Sequence, residues 1–189
     1  MNAVIIPAPP YLDACLRNDI SFVKAMSLSL EDRARVFALC VVSMSANAPQ
    51  WVELCEKWGF DLDAPPPVAA YNKPNNWLWH ALALNKRSQA IALIEAGART
   101  QEVDSCGRSG LGVFIEHATS YNMECIWQLL EKMESCGMPW DSWPDSGAFD
   151  ALVISRTGSC ISQVLAGRRQ MEIASKTSIC NSRISPVRI

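Results

Sequence analysis

The stretch GARTQEVDSCGRSGLGVFIEHA, residues 97–118, runs from the end of one segment with helical periodicity into the next. An apolar helical pattern ends at Gly97, and a run of polar residues with Asp104 and Gly107 follows. A second apolar pattern begins at Leu111. A glycine just past a helix, followed by an Asp-x-x-Gly turn, predicts that one helix stops, the chain turns and another helix starts.

The same order of features recurs along the chain. A short apolar helix, a polar turn and a second apolar helix follow each other in four stretches, which begin at Val36, Asn76, Gly107 and Gly147. In the first three, a glycine follows the second helix: Gly59, Gly97 and Gly137. The segment YLDACLRNDISFVKAM, 11–26, has the same form without the glycine. The chain is therefore predicted to be mostly α-helical and built from four to five divergent repeats.

The repeat resembles the ankyrin family, whose units of about 33 residues contain two helices and a β-turn. NWLWHAL (76–82) stands where T-P-L-H-x-A-A is usual, and IALIEAGA (91–98) where V-x-x-L-L-x-x-G-A is usual. DSCGRSGL (104–111) matches D-x-x-G-x-T-P-L. The resemblance covers about residues 10–166 and is clearest at 76–137. It implies a solenoid with a hairpin-like finger at 98–108; a helical repeat of another type is the alternative fold.

The chain departs from the family pattern at identifiable places. Trp77 and Gly110 stand where the family has proline, and Trp79 and Gly112 where it has histidine. The linkers DAPPPVAAYNKPNN (63–76) and GMPWDSWPDSG (137–147) are longer than a standard finger.

Charge divides the chain into a repeat domain at 1–166 and a basic tail at 167–189. The net charge is −2, and the tail carries five basic residues and one acidic residue. A tail of this kind is usually solvated or disordered, although it can also extend the last helix. Its few excess charges allow only a few phosphate contacts, so nucleic acid is an unlikely partner.

Composition argues against a metal site, a cofactor or a membrane span. The eight cysteines include no C-x-x-C pair and no zinc-type spacing, so they are interpreted as reduced thiols in a cytoplasmic protein. No apolar run approaches the length of a membrane span. The apolar N-terminus MNAVIIPAPP lacks the basic start of a signal peptide.

Catalytic motifs are not apparent, and we expect the protein not to be an enzyme. The two histidines, His80 and His117, lie in apolar helical patterns, where a packing role is favoured. A Cys/His enzyme and a nucleic-acid-associated protein that uses the basic tail remain the alternatives. The first requires His80 or His117 beside a cysteine or carboxylate in an open cleft.

The resemblance implies a protein-binding module whose finger and inner-helix residues contact a protein partner. We expect a small intracellular inhibitor or adaptor, of the immunity, effector or phage anti-defence type, that acts by steric occlusion. A homodimer is left open. For the tryptophans, packing against the repeats is the alternative to binding. The candidate contact residues are Tyr71, Trp79, Arg99, Gln101, Glu102, Ser105, Arg108, Trp140, Asp141 and Trp143.

Overall fold

The structure is a computed structural model that describes residues 9–43, 47–65, 75–99, 102–117 and 123–182, with the backbone alone at 40–43 and 177–182. The described chain is mostly helical, as predicted, and includes a 3-10 turn at Trp140–Ser142. The helices are α1 (Pro10–Leu16), α2 (Ile20–Ala25), α3 (Leu30–Ser43), α4 (Ala48–Lys57), α5 (Trp77–Ala83), α6 (Arg87–Glu95), α7 (Gly110–His117), α8 (Met123–Ser135), α9 (Ser146–Thr157) and α10 (Ile161–Ser182).

The chain divides into two compact units, residues 1–146 and 147–189. In the first unit the helices pack in two rows. Helices α1, α3, α5 and α7 contact one another in that order and form the first row. Helices α2, α4, α6 and α8 do the same and form the second row, while α1–α2, α3–α4 and α5–α6 pack as pairs. Successive helix pairs therefore stack on each other.

Three second-row helices end in the same way, as the glycine spacing predicts. Gly59, Gly97 and Gly137 have φ angles of 78°, 89° and 72°. After each glycine, the next N–H donates to a carbonyl five residues back, as Ala98 does to Leu93 at 2.9 Å. This is the Schellman arrangement, in which a left-handed residue closes a helix. The prediction of three glycine-capped helices is confirmed.

Two first-row helices end at asparagine, which sequence reasoning did not anticipate. Asn18 and Asn85 follow α1 and α5 with φ angles of 60° and 55°. Asparagine tolerates the left-handed region better than most residues with a side chain. The Asn18 side-chain oxygen also accepts the indole N–H of Trp51 at 2.8 Å. The end of α1 is thereby attached to α4 of the next helix pair.

The core of the first unit follows the apolar pattern of the helices. Leu78, Leu82 and Leu93 are completely buried. Trp77 is also buried, and its ring lies 4.1 Å from that of Phe37, centroid to centroid. The tryptophan therefore fills space between α3 and α5.

The second unit contains most of α9 and all of α10. Asp150 accepts the N–H of Ile161 at 2.7 Å and so caps the start of α10. Helix α10 continues to Ser182, so the boundary predicted at residue 166 lies within it. Of the alternatives for the basic tail, the structure has the extended helix, supported by a Glu172–Lys176 ion pair one turn apart. Among the described residues, no helix is both long and apolar enough to cross a membrane.

The stacked core can be tested with leucine substitutions. Leu93 is completely buried, whereas Leu84 is 44% exposed. We expect Leu93→Ala to lower the free energy of unfolding by about 2–5 kcal/mol because it leaves a cavity. Leu84→Ala is the matched control and is expected to cost much less. All seven tryptophans lie in the first unit, so urea unfolding followed by their fluorescence reports on that unit. Equal losses for the two variants would contradict this packing.

Candidate functional site

A hairpin-like finger connects α6 to α7. Val103 and Ser109 form an antiparallel β-bridge, and Asp104 N–H donates to the Arg108 carbonyl at 2.9 Å. Gly107 occupies the turn with a φ of 75°. Asp104 Oδ1 accepts two backbone N–H groups of the turn, at 2.8 and 3.1 Å. The Asp-x-x-Gly pattern therefore builds the turn: aspartate satisfies its N–H groups and glycine supplies the left-handed residue.

The Arg108 side chain attaches the finger to α7. Its Nε and Nη2 donate to Asp104 Oδ2 at 3.0 and 2.8 Å, and its Nη1 donates to Glu116 Oε2 at 2.8 Å. Its carbonyl lies 3.5 Å from the indole nitrogen of Trp79. Arg108 was predicted to contact a partner, but its guanidinium is engaged within the chain. These bonds hold the finger against α7, and the predicted partner contact of Arg108 stays a prediction.

The ion pair between Arg108 and Asp104, called the Arg108 clamp below, affects the pKa of the aspartate. Burial alone would raise the pKa of Asp104, but the bonds from the Arg108 side chain and from the turn backbone outweigh it. The pKa of Asp104 therefore lies below its usual value. Such a carboxylate stabilises the fold above its usual pKa, and this contribution is lost as the pH falls through the lowered value.

Two carboxylates connect the finger to the helix pair before it. Asp63 Oδ1, after α4, accepts the N–H of Arg99 at 2.6 Å. Glu102 Oε2, in the finger, accepts the N–H of Asn76 at 2.7 Å. The Asn76 side chain caps α5 by accepting the N–H of Trp79, and it donates to the Arg99 carbonyl at 3.0 Å. Glu102 was predicted to contact a partner, and in the structure its carboxylate bonds the residue that caps α5.

A third carboxylate connects the finger to the loop after α8. Asp145 Oδ2 accepts the N–H of Ser109 at 2.7 Å. The Ser109 hydroxyl in turn accepts the N–H of Gly112 at 3.1 Å and caps α7. The turns at 61–63, 99–109 and 139–145 are thus joined to one another by hydrogen bonds. We call their described residues the loop edge.

Two glycines in α7 lie where other groups approach the backbone closely. A Cβ on Gly110 would lie 2.8 Å from the Cα of Trp79 and 3.1 Å from its carbonyl oxygen. A Cβ on Gly112 would overlap the Asp145 carboxylate. The first glycine lets α5 and α7 pack closely, and the second leaves room for the carboxylate that bonds Ser109.

Two of the predicted contact residues are buried. Trp79 is 4% exposed and Trp143 is 2% exposed. Their burial favours the packing alternative for both, because an interior ring presents little surface to a partner. Trp79 lies beneath the finger, and Trp143 directly follows the 3-10 turn after α8. The Trp79 ring therefore supports the finger from inside the protein.

The other predicted contact residues are distributed as follows. Arg99, Ser105 and Asp141 are exposed, and Trp140 is half-buried in the 3-10 turn. Arg99 and Ser105 belong to the finger, while Trp140 and Asp141 belong to the loop that Asp145 bonds to it. Tyr71 and Gln101 lie outside the described residues.

Sequence reasoning missed Asp63 and Asp145, which lie in the two long linkers. Each accepts an N–H from a residue 36 positions away, Asp63 from Arg99 and Asp145 from Ser109. No local pattern marks such a pair. The sequence held one signal for these bonds. Asp63 lies about one repeat length before the start of the finger, and Asp145 lies about one repeat length after its end.

An open groove of about 370 Å³ lies between the turns that follow α4 and α6. Leu62 and Ala98 are buried in it, while the Phe60 ring is half-buried. The lining residues are Glu56, Phe60, Asp61, Leu62, Asp63, Ala96, Gly97 and Ala98. Every charged side chain in this lining is acidic.

The groups considered for catalysis or metal binding are dispersed. His80 is 5% exposed and its ring packs edge-on against Trp79, with centroids 5.4 Å apart. His117 is exposed at the end of α7. Burial raises the pKa of the Cys15 thiol to about 11, which keeps it protonated near neutral pH. In the part of the chain that the structure describes, no group of three His, Cys, Asp or Glu side chains is placed to hold a metal ion.

No protein-family model, curated protein or solved structure matches the chain.

Substitutions at Asp145 and Gly112 should lower the free energy of unfolding in a non-additive way, because both disturb the same carboxylate. We expect Asp145→Ala to lower the free energy of unfolding by about 1.5–3 kcal/mol, because it removes a charged acceptor from Ser109. Gly112→Ala should also destabilise the protein, since its methyl group displaces the same carboxylate. In the Asp145→Ala background, Gly112→Ala should cost almost nothing. Urea unfolding of both single variants and the double variant measures this coupling, and additive losses would contradict it.

The Arg108 clamp predicts a shift in the titration of Asp104. Replacing Arg108 with glutamine removes the ion pair that helps to hold the Asp104 pKa low. We expect the pKa of Asp104 to rise in Arg108→Gln when the carboxyl carbon is followed by NMR. Arg17→Gln removes the exposed Asp13–Arg17 pair and should leave Asp104 unchanged. An identical Asp104 midpoint in the wild type and Arg108→Gln would show that the clamp does not operate in solution.

Proposed function

We propose that this chain is a non-enzymatic protein-binding module, a stack of ankyrin-like helix pairs that meets its partner with the loop edge. The observation that carries the proposal is the bond from Ser109 to Asp145. It joins the finger to the loop after α8, so that exposed residues of two turns belong to one surface. A surface fixed in this way loses little conformational entropy when it binds.

The chemistry of the loop edge suits a protein partner. Arg99, Ser105 and Asp141 supply exposed polar and charged groups. Trp140, next to Asp141 in the chain, supplies a half-buried aromatic ring. Protein interfaces commonly combine a central aromatic or arginine anchor with a polar rim. Trp140 is therefore proposed as the anchor and the other three as its rim.

The proposed action is steric. Because the helix rows fix the loop edge, a partner that binds it also meets the adjoining helices. A standard interface of about 800 Å² per partner covers more than the finger alone. Binding then occludes an active or recognition site of the partner, so we propose that the protein is a small inhibitor or adaptor.

The binding role can be tested with a surface variant that leaves the core intact. We expect tagged wild-type protein to capture a stoichiometric protein partner from its native cells, identified by mass spectrometry. Arg99→Ala, Trp140→Ala and Asp141→Ala combined should weaken purified-partner binding by at least about 100-fold, because they remove the proposed anchor and part of its rim. Isothermal titration calorimetry measures the affinity.

The matched control changes an exposed ion pair away from the loop edge. Glu53→Ala combined with Lys57→Ala removes the pair on α4 and preserves net charge. This control should bind like the wild type, and all variants should keep wild-type circular dichroism. Wild-type affinity in the triple variant would place the interface elsewhere, and failure to capture any protein partner would contradict the binding role.

A further inference from the structure

The groove between the turns after α4 and α6 is lined by charged side chains of one sign. Glu56, Asp61 and Asp63 line it, and within the described residues none of the three forms an ion pair. Carboxylates elsewhere commonly have a cationic partner in the chain. Those with such a partner are Asp13, Glu31, Asp32, Glu53, Glu95, Asp104, Glu116 and Glu172.

The backbone around the groove adds to its negative potential. Helices α4 and α6 both end at its walls, in the turns that contain Gly59 and Gly97. The carbonyl end of a helix carries a partial negative charge. Three carboxylates that form no ion pair within the described residues, and two helix C-termini, therefore face the same space.

The groove also offers apolar contact through the half-buried Phe60 ring, which forms part of its wall. Phe60 packs edge-on against Trp58, and the Arg33 guanidinium lies 5.6 Å from the centre of the Trp58 ring. The aromatic cluster beside the groove thus already accepts one guanidinium from the chain itself.

We infer that this groove receives an arginine side chain from an extended segment of the protein partner. The inference rests on the proposed function and adds the chemistry of the partner. The apolar stem of an arginine fits against the Phe60 ring, while its planar head reaches the carboxylates. A volume of about 370 Å³ is at the lower end of the range for ligand pockets, as expected for a single side chain.

The position of the groove connects it with the loop edge. Asp63 lines the groove and also accepts the N–H of Arg99, the first finger residue. A segment that inserts an arginine here continues onto the finger without leaving the surface. The groove therefore selects partners by charge, and the loop edge supplies the wider contact.

A peptide titration followed by amide NMR tests the inference. The probe is a short Gly/Ser peptide with a central Leu-Arg-Leu, and its control has citrulline in place of arginine. We expect the arginine peptide to shift the amides of Leu62, Gly97 and Ala98, and the citrulline peptide to leave them unchanged. Equal shifts with both peptides, or no shifts at these amides, would overturn the inference.

Two double variants with the same change in charge show whether the groove carboxylates bind the arginine peptide. Glu56→Gln with Asp61→Asn neutralises two lining residues, and asparagine keeps the oxygen that accepts the Asp63 N–H at 2.9 Å. We expect this variant to bind the arginine peptide about tenfold more weakly. Asp13→Asn with Asp19→Asn makes the same charge change away from the groove and should retain wild-type affinity. Equal weakening in both double variants would indicate only a general charge effect and would overturn the site.

Affinities measured with the purified partner distinguish an error in the groove assignment from an error in the proposed binding role. If the partner loses affinity for the loop-edge triple variant but not for Glu56→Gln with Asp61→Asn, the groove assignment is wrong and the binding role stands. If neither variant loses affinity, both assignments are wrong. A salt-sensitive dimer in sedimentation that Glu56→Gln with Asp61→Asn abolishes would identify a second copy as the occupant and overturn the foreign partner.

Discussion

Carboxylates that accept backbone N–H groups from distant parts of the chain hold the loops of this protein in place. Asp63 and Asp145 each reach a residue 36 positions away, and Glu102 reaches Asn76, the residue that caps α5. The helix rows bury the apolar surface, but they leave the N–H groups of the connecting turns to be satisfied. A charged acceptor contributes about 1.5–3 kcal/mol to such a bond, more than a neutral one. The links therefore turn separate loops into one surface.

The unusual residues of the chain are explained by close packing around these links. Gly112 leaves space for the Asp145 carboxylate, and Gly110 lets the backbone of α7 approach Trp79. Trp79 fills the interior beneath the finger, and Trp77 packs on Phe37. The large Trp79 on α5 and the small Gly110 on α7 are therefore complementary in size.

Local chemistry in the sequence predicted most of the helices and their ends. Gly59, Gly97 and Gly137 act within one turn, and the Asp104 turn closes within five residues, so their patterns are readable in a single sequence. The bonds made by Asp63 and Asp145 depend on residues a full repeat away, and no local pattern reveals them. The burial of Trp79 and Trp143 likewise depends on tertiary packing, which no local pattern reveals.

The surface proposed for binding exists only if the hydrogen bonds of Asp63, Glu102 and Asp145 to backbone N–H groups persist in solution. Amide hydrogen exchange, resolved residue by residue, measures this directly at Asn76, Arg99 and Ser109, whose N–H groups face the three carboxylates. The account predicts slow exchange at all three, comparable with that of the buried amides in α5 and α7. Exchange as fast as in an unstructured peptide, while those helix amides remain protected, would show that the loops move independently and would contradict it.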